Sequence, residues 1–517
     1  NFNKLKGTKM SFRCILVGEG NLTFIFCKLL AKSQLNLVLV ITSNNKIIQW
    51  CHENKISFIC SQSDYTEQLY KIDFEYLICA INENKLSEKI ISRATICSVN
   101  YHDSILPNYA GVHATAWSIL NGETHHGITW HVMNNKIDSG DIVLSKQFNL
   151  SQQETSLSLN IKCFDAAIQS FPNLIEILLA PPLKLTQQQK NTKSFFYKAD
   201  KPKSNGLLTT EMTLHDIYRL LNASQFGHID NDFYSVKIQI SSSYYYILRA
   251  KCIFSDHAEP SGKIVEIAED FITVTARGGY LQIMILAEVG HIISIGDVVS
   301  KHVLRINQKI LTEFNSTTKS YSELVRKNHF HEKKFIEKYR NLSIPLASFD
   351  DVTDNYKTTS SCYSIIHSKK ITVSKAEFLE HFCELITKFM LRPDFILPIQ
   401  HSEYSDIKDY KGLFLKYGFI YYNNANLSSS KTVNVSLEKQ LGNLPFIQAD
   451  IKWRYRGLDN DIYCLPLALS FEKKIFGNSK FILQLHQNKL SVFHNASLAT
   501  VTPRLKEQLS LFVANMI

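Results

Sequence analysis

Long apolar runs are missing from this chain. No stretch of its 517 residues approaches the roughly 18–20 apolar residues of a membrane span, so a membrane is not an expected partner. The eleven cysteines form no CxxC pair and no regular spacing, and no HExxH occurs. Zinc ribbons, thioredoxin-like redox motifs and zincin chemistry are therefore not expected, and no metal is assigned. Cys14, Cys27, Cys60, Cys79 and Cys97 lie in or beside apolar runs and read as reduced core residues of a cytoplasmic protein. The net charge of +10 is spread along the chain without a dense Lys/Arg block. It fits a solvated, mildly basic surface as well as an anionic partner. Charged residues make up only 20% and apolar ones 45%, which excludes a disordered chain.

What is present reads as several domains. "FRCILVGEG" is an apolar run into Gly-x-Gly, with a helical pattern after it. "LNLVLVITS", "SFICS", "FEYLICAIN" and "ATICSVNYH" are further strands, with helical stretches such as "KIIQWCHENKI" and "KLSEKIISR" between them. Strand and helix in alternation predict an α/β fold with a doubly wound, parallel, Rossmann-like sheet. The Gly18-x-Gly20 turn is not a dinucleotide fingerprint, because the third glycine would fall at Thr23. "SLSLNIKCFDAAIQSFPNLIEILLA" predicts a long amphipathic helix, and the polar, Pro-bearing stretch 181–206 a linker. From about 207 to 315 a short helix precedes period-2 segments, "KIVEIAED", "FITVTAR" and "YLQIMIL", which predict a β-meander closing into a small barrel. Residues 316–517 mix both signals, with a capping box at Ser374/Glu377 and a final helix opened by Thr502 and Pro503. Residues 1–9, ahead of Met10, read as an expression scar, and the chain is expected to be cut from a longer protein.

The chemistry concentrates in "SVNYHDSILPNYAG". Residues two apart on a strand face the same way, so Asn100 and His102 share one surface at a strand's C-terminal end, where open α/β sheets bind ligands. The amide can donate to a developing oxyanion and the imidazole can relay protons. A carboxylate follows in "NNKIDSGDIVL": Asp138, thirty-six residues after His102, in a Gly turn before an apolar strand. Set against His102 it would orient the imidazole and favour its protonated form. Such a trio, without metal ligands or a Ser/Cys nucleophile, suits direct acyl transfer to an amine.

On "NYHDSILPNYAG", "AWSILNGETHHGITWHVM" and "IDSGDIVL" the sequence resembles the folate-dependent formyltransferases, more weakly over residues 10–200. The resemblance implies a catalytic domain at 10–180 with Asn100, His102 and Asp138 as catalytic trio. It implies 10-formyltetrahydrofolate as donor, in a pocket lined by Ile81, Asn82, Leu86, Ser104, Leu106 and Pro107. The barrel at 207–315 resembles the family's C-terminal domain. Residues 316–517 resemble the C-terminal lobe of a condensation domain, but lack its HHxxxDG motif; the adjacent His125 and His126 are expected in a loop. Deleting everything after about 315 is expected to spare formyl transfer to a small amine.

The basic insertion that grips tRNA in methionyl-tRNA formyltransferases is absent after the second strand, so tRNA is not the expected partner. The "GVHATAW…HHGITWH" version is most similar to the formylation domain that opens some nonribosomal peptide synthetases. The implied acceptor is an aminoacyl group on a carrier protein, beside an adenylation module. The alternatives are a sugar-nucleotide or methionyl-tRNA formyltransferase, or a scaffold that kept the fold without activity.

Overall fold

A parallel sheet needs helical crossovers, and the first 180 residues supply them. In this computed structural model residues 12–341 are described almost throughout, with gaps at 83–84, 190–193, 228, 257–260 and 289. Beyond 341 the described residues fall mainly within 363–370, 375–383, 394–400, 413–423, 447–455, 467–470 and 481–495. The expected capping box at Ser374/Glu377 and the final helix from Thr502 lie outside them. The chain divides into two compact units, residues 1–200 with 219–227, and residues 201–218 with 228–517.

In the first unit the elements follow as β1 (Arg13–Gly18), α1 (Gly20–Ala31), β2 (Asn36–Ile41), α2 (Asn45–Glu53), β3 (Ser57–Ile59), α3 (Thr66–Leu69), β4 (Tyr76–Ala80), α4 (Glu88–Ile91) and β5 (Cys97–His102). Then come β6 (Ala110–Gly111), α5 (Ala114–Asn121), β7 (His125–Val132), β8 (Ile142–Asn149), α6 (Ser156–Leu178) and β9 (Phe195–Phe196). Seven strands order as β3-β2-β1-β4-β5-β7-β8. The first five are parallel, as their unbroken apolar runs predict; β7 and β8 join antiparallel, an edge the all-parallel expectation missed.

Both faces of the sheet are covered. Ile15, Val17, Leu39, Ile41, Leu77 and Cys79 pack with Leu69 of α3 and Ile90 of α4. On α1 and α6, Phe26 and Phe171 stack at 4.1 Å and both meet Trp130 of β7 at 5.5 Å. α6 begins at a capping box formed by Thr155 and Ser158. The strand order reverses at β1, so the ends of β1 and β4 open a crevice at the switch point.

That crevice is closed at its base by protein. A Cβ at Gly18 would lie 1.8 Å from the Ala80 carbonyl oxygen, so only glycine permits the approach. The Glu19 carboxylate accepts from Thr42 Oγ1, Ser43 N and Ser61 Oγ, which ties the turn to the segments that follow β2 and β3. The turn is a strand-to-helix joint, as the missing third glycine implies.

The second unit holds two sheets. β10 (Lys237–Ile240), β11 (Ser243–Phe254), β12 (Ile264–Ile267), β13 (Ile272–Ala276), β14 (Gly279–Glu288) and β15 (His291–Ile293) give the order β10-β11-β14-β13-β12, with β15 on β14. The Gly-Gly turn pairs Ala276 with Gly279, as read from the sequence. Among the described residues no ladder joins β10 to β12, so the meander is present without the barrel closure expected of it. A helix at Leu214–Ala223 (α7) comes before β10 in the chain, and helices at Ile295–His302 (α8) and Ser316–Asn341 (α9) lead to β16 (Tyr363–Lys370), β17 (Asp394–Gln400), β18 (Tyr417–Asn423), β19 (Leu467–Ser470), β20 (Phe481–His486) and β21 (Lys489–Asn495). These strands order as β16-β21-β20-β19-β17-β18.

The boundary expected near 315 is not a break in packing. Tyr321 and Val325 of α9 share one apolar cluster with Leu207, Tyr244, Leu413 and Phe414. Asn205 Nδ2 donates to Tyr321 Oη at 2.8 Å and to Gln448 Oε1 at 3.0 Å. Glu332 and Arg454, both buried, pair at 2.6 Å. Residues on either side of 315 thus share one core.

Candidate active site

β5 delivers Asn100 and His102 to one end of the sheet, and β7 lies beside it in antiparallel register. Asn100 stands opposite His131, and His102 opposite Thr129. Residues 129 and 131 therefore project with the pair the sequence marked. Thr129 fixes the loop after β5: its Oγ1 accepts from Leu106 N at 3.1 Å and donates to the Ser104 carbonyl at 2.7 Å. Ser104 is buried, and its hydroxyl donates to the Asn108 carbonyl at 2.6 Å. Leu106 is buried as well. These two residues, expected to line a pocket, serve first to hold the loop.

Of the expected trio, His102 and Asp138 meet directly, and Asn100 joins them through His131. His102 Nε2 lies 2.8 Å from the Tyr109 carbonyl oxygen, and its Nδ1 lies 3.6 Å from Asp138 Oδ2. Acceptors thus face both ring nitrogens. Asp138 Oδ2 also accepts from Gly111 N at 2.8 Å, and Oδ1 lies 3.4 Å from His131 Nε2. The same nitrogen of His131 is 3.3 Å from Asn100 Nδ2, while its Nδ1 donates to the Val132 carbonyl at 3.0 Å. His131 is the residue sequence reasoning passed over. Its signal was available: in "GITWHVM" it falls two places after Thr129, on the face that β5 meets.

Burial alone would raise the Asp138 carboxyl, but the charge of His102, the hydrogen bond and charge of His131 and the Gly111 N–H outweigh it. They hold it well below the usual carboxylate range. Asp138 also adopts φ +48°, a left-handed conformation that Asp tolerates better than most residues. Removing its neighbours would leave a buried charge without support, so the cluster acts as a unit.

The stretch 181–206, expected as a linker, is partly built into this site. Ala110 N donates to the Ser194 carbonyl, Tyr109 N to Ser194 Oγ, and β6 pairs in parallel with β9. Gln188 Nε2 donates to the carbonyls of Asp138 and Gly140. The physical reason is that buried amides at 109–112 need acceptors, and residues 194–196 supply them. Phe196 then stacks on Tyr109 at 5.8 Å and on Trp117 at 4.4 Å, forming an aromatic wall behind Gly111.

The remaining expected positions differ among themselves. Ile81 lies at the end of β4 with φ +51°, an uncommon conformation for a β-branched residue, its carbonyl accepting from Glu19 N. The Asn82 side chain hydrogen-bonds the buried Cys79 thiol, which burial pushes up to about 12. Both stand at the switch point. Leu86 instead packs in the core with Ile15, Val17, Leu77 and Ile90. Pro107 is half-buried in the loop. His125 and His126 open strand β7 where a loop was expected; His126 is buried, its Nε2 2.8 Å from the Asp103 carbonyl. Cys60, expected in a core, is exposed beside Ser43. Among the described residues no group of three His, Cys, Asp or Glu side chains is placed to hold a metal.

Comparison with known proteins locates this geometry. The family described as formyl transferase matches residues 22–175, which contain Asn100, His102, His131 and Asp138. Among solved structures, the chain is similar to the N-formyltransferase from Helicobacter canadensis in complex with folinic acid and dTDP-3-aminofucose, at 18% identity, covering 53% of this chain and 99% of that one, TM-score 0.42. It is similar to a 4-N formyltransferase from Francisella tularensis at 17% identity, covering 43% and 90%, TM-score 0.37. It is also similar to HypX from Aquifex aeolicus in complex with tetrahydrofolic acid, at 14% identity, covering 64% and 58%, TM-score 0.40. Residues 22–175 therefore match the formyl transferase family, and the cluster at the end of β5 lies inside the matched segment.

Proposed function

We propose that this protein moves a formyl group from 10-formyltetrahydrofolate to the amino group of an aminoacyl substrate held on a carrier protein, as the opening step of a nonribosomal peptide synthetase. The observation that carries the reaction class is the cluster of Asn100, His102, His131 and Asp138 at the end of β5, inside the matched domain. The Asn100 amide, 3.3 Å from His131 Nε2, has an N–H available to the formyl oxygen as charge develops there. His102, backed by Asp138, adds positive charge on the same side. Asp138 keeps the ring in place and balances that charge. Removing one such donor typically lowers turnover about 10²–10³-fold.

The acceptor class is supported by what joins β2 to α2. Three residues, 42–44, connect them, which leaves no room for a basic tRNA-gripping insertion. A carrier-tethered amine needs little binding surface, because tethering raises its effective concentration to roughly the millimolar range. In this reading the open β-meander near 207–315 is a C-terminal-like domain, and residues 316–517 a condensation-like bridge toward an adenylation module. The test offers an aminoacyl-carrier conjugate, a sugar-nucleotide amine, charged initiator tRNA and free amino acid in parallel, at two salt concentrations. The carrier conjugate is the preferred acceptor. Efficient formylation of tRNA with steep salt dependence, or preference for the sugar nucleotide, overturns the acceptor assignment and leaves the reaction class standing.

A further inference from the structure

One carboxylate at the site takes no part in the chemistry described so far. Asp103 follows His102 directly, and its Oδ1 lies 3.9 Å from His102 Nδ1, the same nitrogen that faces Asp138 at 3.6 Å. The two acids differ in access. The side chain of Asp138 is 8% exposed and that of Asp103 33%, while the rings of His102 and His131 are 6% and 3% exposed. Asp103 is thus, with half-buried Asn100, the part of the cluster open to an incoming molecule. Its position is fixed from behind, since buried His126 holds the Asp103 carbonyl at 2.8 Å and packs edge-on against Tyr109 and Phe148. Among the described residues no lysine or arginine lies in salt-bridge range of Asp103. Its titratable surroundings are His102, His126, Tyr101 and Cys163.

An amine acceptor brings a problem that the trio leaves open. A typical α-amino group has a pKa of about 8, so near neutral pH it arrives mainly as an ammonium, which cannot attack. It needs a negative group to bind it and a base to take one proton, close to the formyl carbon and open to water. We propose that Asp103 is the acceptor-binding carboxylate: it binds the ammonium and takes the proton that must leave before attack. This rests on the formyl-transfer reading above. The atoms balance. R–NH₃⁺ gives one proton to Asp103, which passes it to solvent. R–NH₂ forms the new C–N bond to the formyl carbon as the bond to the folate nitrogen breaks. A second amine proton goes to that departing nitrogen, and the third stays on the product formamide. Asp138, deeper and tied to Gly111 and His131, keeps its role with His102.

The experiment compares wild-type protein, Asp103→Asn and Asp103→Glu, all with 10-formyltetrahydrofolate. One acceptor is glycinamide, largely an ammonium at pH 7, and the other hydroxylamine, already neutral there. Binding of 5-formyltetrahydrofolate is measured alongside. The expected result is a tenfold or larger rise in KM for glycinamide in Asp103→Asn, partial recovery in Asp103→Glu, and near-normal transfer to hydroxylamine and folate binding in both. Unchanged kinetics with glycinamide in Asp103→Asn overturn the proposal. So does an equal loss with hydroxylamine, which would mean Asp103 only supports His102, or a wild-type protein that uses hydroxylamine and not glycinamide. A wild-type protein that binds 5-formyltetrahydrofolate but transfers formyl to neither amine overturns the Asp103 assignment alone, whereas one that does not bind the folate removes the parent reading as well, which separates the two failures.

Discussion

His131 Nε2 lies 3.4 Å from Asp138 Oδ1 and 3.3 Å from Asn100 Nδ2, so one imidazole touches two of the three residues that carry the chemistry. With its Nδ1 committed to the Val132 carbonyl, the ring cannot turn without losing a buried hydrogen bond. His131→Phe is expected to lower kcat about 10²-fold, the scale of one lost preorganised partner. Combined with Asp138→Asn it should lower kcat little further, because the residues act as one unit. Steady-state kinetics of the two single variants and the double variant check this; additive losses would separate His131 from the cluster.

The depressed Asp138 carboxyl sets a pH dependence. Its folded-state value lies below the unfolded one, about 3.9 for a free Asp side chain. The stability it contributes is full above that value and is lost as pH falls toward the folded value, since the unfolded chain then binds the extra proton. Wild-type protein should therefore lose more stability between pH 7 and pH 3 than Asp138→Asn does. Denaturant midpoints at the two pH values give the comparison.

Gly111 is expected to be intolerant for a reason local to the site. It has φ +96°, and a Cβ there would lie 2.1 Å from the Phe196 carbonyl oxygen. Gly111→Ala must part β6 from β9 and draw the Gly111 N–H off Asp138. Turnover should fall at least tenfold while folate binding changes little, and kinetics with calorimetry separate the two.

In the second unit, Glu332→Gln is expected to destabilise by about 3–5 kcal/mol, because the buried Arg454 guanidinium then loses the Glu332 carboxylate charge. Replacing both by apolar residues of similar volume should recover much of the loss. Truncation after residue 315 strips Tyr321, Val325, Leu413 and Phe414 from Leu207 and Tyr244. The truncated protein should show exposed apolar surface by dye binding, even where residues 1–200 keep their folate affinity.

Much of the first unit was legible because its signals are local. Buried parallel strands are unbroken apolar runs, and the strand-end placement of Asn100 and His102 follows from alternation along β5. Pairing between distant segments was not legible. Nothing in "FFY" announces that Phe195 and Phe196 return to Ala110 and Gly111, and a polar, Pro-bearing stretch reads as a linker whether or not its backbone finds a partner. His131 escaped for a similar reason: its role depends on the register between β5 and β7, which only the folded sheet sets. Leu86 matched a pocket position by resemblance, yet its side chain belongs to the α4 side of the sheet.

The central claim is formyl transfer by the cluster at the end of β5, and release of tetrahydrofolate from 10-formyltetrahydrofolate in the presence of an amine tests it most directly. Wild-type protein should release it in step with a formylated product. His102→Ala and Asp138→Asn, checked for intact fold by circular dichroism, should each fall by about 10² or more. Amine-dependent release that persists at the wild-type rate in both variants would contradict the account.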